Sequence, residues 1–219
     1  MTDEQLSIII GTVLGDSYIH CSKAGTTSLS IKQADRYREY VFWLADHLGS
    51  LFKTKPKQRQ DTKQWYVRSA YSNELNEIHH KFYQNGIKIV PLDIAEILID
   101  PLSLAVWFMD DGTLDFREKD HCAFHLCTNC FLKREAETLT SVLLKNFGVI
   151  ASVHYTLCRG KRHSRVYIGA QGRDRFIELI SPYILSCFQY KLPKFRHTPQ
   201  RLDPALAGSD RSFLTSITR

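Results

Sequence analysis

The clearest pattern in the chain is a buried-looking helix that occurs twice. In the first copy, Leu6, Ile9, Ile10, Val13 and Leu14 recur at the spacing of one helical face. Thr2 and Gln5 have the spacing of a capping box at its start, and Gly15, Asp16 and Ser17 follow its end. The second copy runs through Leu102, Leu104, Ala105, Val106, Trp107, Phe108 and Met109. Asp100 suits its N-cap and Pro101 its first helical position. It is apolar almost all round, which predicts burial, and it too ends in acids, Asp110 and Asp111, before Gly112.

The segments downstream of the two copies repeat as well. After Asp16 come strand-like runs at 17–22 and 27–33. A helix carries Tyr37, Tyr40, Val41, Leu44 and Leu48 and stops at Gly49. Strands are expected at 57–60 and 64–71, and a last helix from Asn73. After Asp111 the order recurs, with strands at 113–116 and 122–128. A helix carries Leu132, Ala136, Leu139 and Leu143 and stops at Gly148. Strands come next at 150–157 and 164–170. The closing helix carries Phe176, Leu179, Ile180 and Tyr183, with Pro182 as a kink or break. Each half therefore reads αββαββα. The fold class is α+β, two pseudo-symmetric halves each with an antiparallel sheet. The expected organisation is residues 1–90 and 101–195 as the halves, 91–100 as the connection, and 196–219 as an extended or disordered tail, where Arg196, His197 and Arg201 could touch phosphate.

Composition narrows the function classes. Lys and Arg number 29 against 23 Asp and Glu, a formal charge of +6, which favours polyanionic partners. No apolar run reaches the ~20 residues of a membrane span. The acidic start, Asp3 and Glu4, suits neither a secretory signal nor a transit peptide. Composition is not unusually rich in Asn and Lys, so an intracellular site in a bacterial cytoplasm is expected rather than an organelle. The six cysteines show no disulfide framework and are expected to be reduced. Cys122, Cys127 and Cys130 with His121 and His125 invite a zinc reading. A single CxxC lacks a matching second pair, and the segment alternates like a strand.

The motifs Ile9-Ile10-Gly11-Thr12-Val13-Leu14-Gly15-Asp16-Ser17 and Leu104-Ala105-Val106-Trp107-Phe108-Met109-Asp110-Asp111-Gly112 resemble the signature of LAGLIDADG homing endonucleases. The similarity extends to Tyr190-Lys191-Leu192-Pro193, and is greatest to the monomeric two-motif members. The resemblance implies that the two signature helices pack side by side about a pseudo-twofold axis, and that saddle-like sheets lie along double-stranded DNA with a long recognition site. It implies one acid per motif, Asp16 and Asp111, holding Mg²⁺, for which Mn²⁺ can substitute. Two departures stand out. Ser17 occupies a usual glycine position, and Val106 occupies a position often small, so close helix contact must rely on Gly11 and Gly15 opposite. Asp110 reads as an interface or capping residue.

Lys88 and Lys191 each come after the last helix of their half. In related enzymes lysines so placed lie near the scissile phosphates, where a point cation can orient water and stabilise developing charge. Gln33 and Asn129 end the second strands and are expected to organise water. Basic residues cluster in two hairpins. Lys57, Arg59, Lys63 and Arg68 are interleaved with Trp65, Tyr66 and Tyr71, and Arg159, Lys161, Arg162 and Arg165 with Tyr155 and Tyr167. A two-stranded ribbon fits the major groove, where Arg reads guanine and Gln, such as Gln58, Gln60 or Gln64, reads adenine. The alternative reading on this scaffold is an intron RNA maturase or a catalytically inactive DNA-binding protein.

Overall fold

A computed structural model describes residues 1–117, 121–158 and 160–193. Arg159 and the tail from residue 196, including Arg196, His197 and Arg201, lie outside the described residues. The first half runs α1 (Asp3–Leu14), β1 (Tyr18–Cys21), β2 (Thr27–Gln33), α2 (Arg38–His47), β3 (Lys57–Gln58), β4 (Trp65–Arg68) and α3 (Asn73–Phe82). A small ribbon, β5 (Tyr83–Gln84) and β6 (Ile87–Lys88), and a short helix α4 (Ile94–Ile97) lead to the second half. That half runs α5 (Pro101–Asp111), β7 (Gly112–Arg117), β8 (His121–Cys127), α6 (Lys133–Phe147), β9 (Ser152–Cys158), β10 (Lys161–Ile168) and α7 (Ala170–Ile180).

The two sheets have the same antiparallel topology, β1-β2-β4-β3 and β7-β8-β10-β9. Their registers also match. Tyr18, two residues past Asp16, pairs with Ser30, and Thr113, two past Asp111, pairs with His125. The αββαββα repeat and the α+β class are therefore present in the structure. Two details differ from the sequence pattern, and one follows it. β3 is only two residues long, because Pro56 precedes it and the chain turns at once, with Arg59 donating to the Gln64 carbonyl. The connection is not a plain linker: it carries α4, whose Ile94 is fully buried, and it follows directly on β6, where Lys88 pairs with Tyr83. The closing helix ends at Ile180, because Pro182 cannot continue it.

Helix ends obey the expected chemistry. Thr2 and Gln5 form the capping box of α1, and the Asp100 carboxylate accepts from Leu102 N–H at 2.8 Å to start α5. Gly148 ends α6 with φ of 67°, a left-handed backbone that favours glycine.

Helices α1 and α5 pack on each other at the centre of the molecule. Ile8, Ile9, Val13, Leu14, Leu104, Val106, Trp107 and Phe108 are fully buried there. The contact is close because each larger residue faces a glycine at the same motif position. A β-carbon on Gly11 would overlap the Ser103 carbonyl and come within 2.8 Å of Val106 Cβ. One on Gly15 would overlap Asp110 Cβ. Val106 thus fits only because its counterpart has no side chain, and the same holds for Asp110.

Candidate active site

The ends of α1 and α5 carry the motif acids to one place. Asp16 lies just beyond α1 and is exposed, and Asp111 is the last residue of α5 and half-buried. Gln33, at the end of β2, ties the two ends together. Its Nε2 donates to Asp16 Oδ2 at 2.9 Å and to Asp110 Oδ1 at 3.3 Å. Asp110 Oδ2 also accepts from Thr12 Oγ1 at 2.8 Å and from the Asp16 N–H at 3.3 Å. Asp110 is therefore the interface residue of the pair, and the half-buried Asp111 carboxylate is left without a hydrogen-bond partner among the described residues.

The electrostatics record three carboxylates sharing one neighbourhood. Asp111 is pushed up to about 7, first by burial and then by the charge of Asp16, with Lys88 and Lys191 opposing. Asp110 is pushed up to about 8 by burial and again by Asp16. The buried Tyr40 hydroxyl lies against Asp110, and both burial and that acid raise its pKa further.

Both lysines sit at this site, but not as free cations. Lys88 Nζ donates to the Gly15 carbonyl at 2.9 Å and the Ser17 carbonyl at 3.1 Å. Lys191 Nζ donates to the Met109 carbonyl at 2.7 Å and the Phe108 carbonyl at 3.3 Å. Each cation thus caps the C-terminal end of its own half's signature helix, where carbonyls lack helical partners and the macrodipole favours positive charge. Lys191 is only 7% exposed, and burial brings its ammonium down to about 8 against the pull of the three acids. Burial lowers Lys88 in the same direction, opposed by Cys130 and the acids.

The strand registers correct one pairing. Three residues beyond the Ser30 and His125 positions stand Gln33 and Thr128, so Thr128, not Asn129, is the counterpart of Gln33. Thr128 is fully buried and donates to the Ser164 carbonyl at 2.8 Å. Asn129 is exposed in a turn, and its carbonyl meets His163 Nδ1 at 3.3 Å. The sequence offset misled because β8 stops one residue before the position at which β2 stops.

Alternation along the strands sorts the basic residues by face. On the first sheet Lys57, Tyr66, Arg68, Lys32 and Ser30 share the face away from the helices. An open polar cleft of this face is lined by Asp16, Tyr18, Ser30, Lys32, Arg59 and Tyr66. Lys32 and Tyr18 were not singled out in the sequence; the register that pairs Tyr18 with Ser30 puts them on the same face. Lys63 sits in the hairpin turn with φ of 56°. Arg59 is held by Asp61 at 3.0 Å.

On the second sheet Lys161, His163, Arg165 and Tyr167 alternate onto the outer face, beside His125 and Cys127. His154 stacks on Tyr167 with centroids 4.1 Å apart, and His125 lies 5.2 Å from the same ring. Arg165 Nε and His125 Nδ1 are buried without hydrogen-bond partners among the described residues. Arg162 departs from expectation. It is on the opposite face from Arg165, with its guanidinium 4.0 Å over the Tyr155 ring. His154 and His163 were not singled out in the sequence, because a count of charged residues leaves histidine aside.

Among the described residues, no group of three His, Cys, Asp or Glu side chains is arranged to hold a metal ion. Cys122, Cys127 and Cys130 are free thiols, and His121 meets Asp115 at 3.2 Å. An ion at the motif acids would therefore take two carboxylates and fill its remaining positions with water or phosphate oxygen. Mg²⁺ accepts that donor set, because it keeps several waters and binds through one or two carboxylates.

Residues 6–176 match the LAGLIDADG DNA endonuclease family. Relatives include cytochrome b mRNA maturase bI2 of Debaryomyces hansenii, 28% identical over 88% of this chain and 74% of that one. Probable intron-encoded endonuclease 1 of Wickerhamomyces canadensis is 28% identical over 86% of this chain and 83% of that one. Among solved structures, the homing endonuclease I-WcaI bound to its DNA recognition sequence superposes with a TM-score of 0.76 at 25% identity, covering 88% of this chain and 87% of that one. A variant of I-DmoI, in complex with its target DNA in the presence of Mg, shares the fold with a TM-score of 0.52 at 16% identity, over 82% of this chain and 96% of that one. These relatives are named as a cytochrome b mRNA maturase and an intron-encoded endonuclease of yeasts, which overturns the expectation of a bacterial cytoplasm. No helix among the described residues is long and apolar enough to cross a membrane. The match over most of the chain, on a repeat whose two acids converge at one helix pair, establishes that the chain belongs to the LAGLIDADG DNA endonuclease family.

Proposed function

We propose that this chain is a homing endonuclease that cuts both strands of a long DNA recognition site, acting as a monomer whose halves, residues 1–90 and 101–195, each read one side of the duplex. The observation that supports the reading is the convergence of the two helix ends: Gln33 bridges Asp16 to Asp110, the neighbour of Asp111, and the charge of Asp16 is felt at Asp111. A duplex lying along the two sheets brings one scissile phosphate to each side of that axis. Lys57, Arg59, Lys63 and Arg68 serve the first half, and Lys161 and Arg165 the second, mostly through phosphates, with arginines available for guanine. Arg162 contributes less, because it lies on the other face.

Asp16 and Asp111 would hold divalent ions, Mg²⁺ foremost and Mn²⁺ in its place. Bound there, such ions supply charge neutralisation and a water of lowered pKa. The chain's own groups do the rest. Gln33 fixes the direction of the Asp16 carboxylate. Lys88 and Lys191 hold the helix ends at fixed distance from the phosphates and contribute positive potential where the attacked phosphate gains charge. Lys191 is buried and Lys88 half-buried, so both ammonium groups are poorly solvated, which strengthens their effect on a bound phosphate.

A relative is named an mRNA maturase, and RNA binding without cutting is the competing activity. The converging acids, with Lys191 buried and Asp111 and Lys88 half-buried beside them, favour the nuclease, since desolvating such groups is costly and a surface that only holds RNA has no use for them. The test is incubation with Mg²⁺ of duplex DNA carrying the uninterrupted insertion site read from the flanks of the gene. Cutting of both strands is expected. Splicing of the intron RNA without DNA cleavage would support the maturase instead, and tight binding without cleavage an inactive regulator.

A further inference from the structure

The two halves of the site are prepared differently, and Asp110 makes the difference. The α1 helix ends at Leu14, and Gly15 leaves it with ψ of −130°. Ser17 N–H then returns to the Thr12 carbonyl at 2.9 Å. This leaves the Asp16 N–H with no backbone acceptor among the described residues, and Asp110 Oδ2 takes it at 3.3 Å. The same oxygen accepts from Thr12 Oγ1 at 2.8 Å, and Thr12 Oγ1 is 2.7 Å from Ser17 Oγ on the far side of Asp16. Asp110 Oδ1 shares Gln33 Nε2 with Asp16 Oδ2. The backbone of Asp16 is thus tied directly to a residue of the other half, and its carboxylate indirectly, through the Gln33 amide that it shares with Asp110.

Nothing equivalent serves Asp111. It is still within α5, so its N–H needs no side-chain acceptor. The pseudo-symmetric counterpart of Asp110 is Gly15, which has no side chain, and that of Gln33 is Thr128, which is turned to Ser164. Among the described residues, no side chain donates a hydrogen bond to the Asp111 carboxylate.

We propose that Asp110 is a positioning residue for the Asp16 half of the site alone, so that the two DNA strands are cut by unequally prepared acids. The proposal rests on the endonuclease reading. Asp110 touches neither substrate nor reacting atoms. It acts by fixing Asp16, and loss of such fixing costs rate only where Asp16 is needed most.

The test is single-turnover cleavage of the target duplex, labelled separately on each strand, by the full chain in Mg²⁺. Asp110→Asn keeps the shape of the side chain but puts an amide against a donor, either Gln33 Nε2 or the Thr12 and Asp16 pair. It is expected to slow one strand about tenfold or more, as small misplacements do, with the other strand unchanged and nicked duplex accumulating. Thr12→Val removes one donor with little change of volume and is expected to slow the same strand, less severely. Equal slowing of both strands, or none, in these variants overturns the proposal. If Asp110→Asn fails to fold, Thr12→Val decides. A wild-type chain that cuts neither strand overturns the nuclease reading and this proposal together, whereas wild-type cutting with symmetric variants overturns this proposal alone.

Discussion

Gly15 and Asp110 hold the same position in the two signature helices and touch across the pseudo-twofold axis, so closely that a β-carbon on Gly15 would fall 2.8 Å from Asp110 Oδ2. The glycine makes room for the acid, and the acid then holds the residue after the glycine. Gly11 and Val106 repeat the arrangement one turn earlier.

This packing predicts that Gly11→Ala is destabilising despite the gain in helix propensity. The added methyl meets the Ser103 backbone carbonyl, which cannot swing away as a flexible side chain would. Overpacking of this kind costs about 1–3 kcal/mol. Urea denaturation of the variant should show a lower midpoint at unchanged slope, and an unchanged midpoint would mean that the helices stand further apart.

Lys191 predicts a separation of fold from activity. Its ammonium lies over the Phe108 and Phe188 rings and caps two carbonyls of α5. Lys191→Met keeps the stem and removes the charge. Cleavage is expected to fall about 10²-fold, the usual loss when one preorganised donor is removed from a reacting centre. DNA affinity measured in Ca²⁺ should change little. Unimpaired cleavage would reduce the lysine to a helix cap.

The acids predict an unusual pH dependence for the metal-free protein. Asp110 and Asp111 titrate near 8 and 7 when folded, against the ordinary 3.8. The folded chain therefore holds protons that the unfolded chain releases. Their stabilising contribution is complete below the unfolded value, and is lost as pH rises through about 7 to 8. Lys191, near 8, has the opposite sense, but it is already protonated below that value and leaves the slope there to the acids. The Tm without metal should thus fall between about pH 5.5 and pH 8, and less steeply in Asp111→Asn. A divalent ion should restore stability most at the upper end. Equal steepness in the variant would remove Asp111 from the effect.

The face on which each arginine lies predicts which matter to DNA. Arg165→Ala should weaken binding by roughly 1–3 kcal/mol if the side chain meets a base. Arg162→Ala should leave binding close to wild type, because its guanidinium rests on Tyr155 away from the outer face. Reversal of that order in a fluorescence titration would put the outer face on the wrong side of the sheet.

Much of this was legible in the chain because the repeat supplies an internal check. Periodicity found both signature helices, and the capping residues Thr2 and Asp100 fixed their starts. The glycine contacts followed from Val106, a large residue where a close pair of helices needs space. Register was not legible at one-residue precision. The sequence paired Gln33 with Asn129, and only the ladder shows Thr128 in that place. Composition could not reveal that Arg162 and Arg165 part company, since both belong to one basic hairpin and only strand alternation separates them. The capping of helix ends by Lys88 and Lys191 was hidden too, because it joins residues distant in sequence through carbonyls that every residue carries.

If Asp16 and Asp111 together cut DNA with divalent metal, neither acid alone should suffice. The decisive experiment is cleavage of the target duplex by Asp16→Asn and Asp111→Asn, beside wild type, in Mg²⁺ and in chelator. Wild type is expected to cut in Mg²⁺ alone, and either variant to lose double-strand breaks while binding in Ca²⁺ persists. Undiminished double-strand breaks in both variants, or cutting by wild type in chelator, would show that the paired acids and their metal are not the cutting centre.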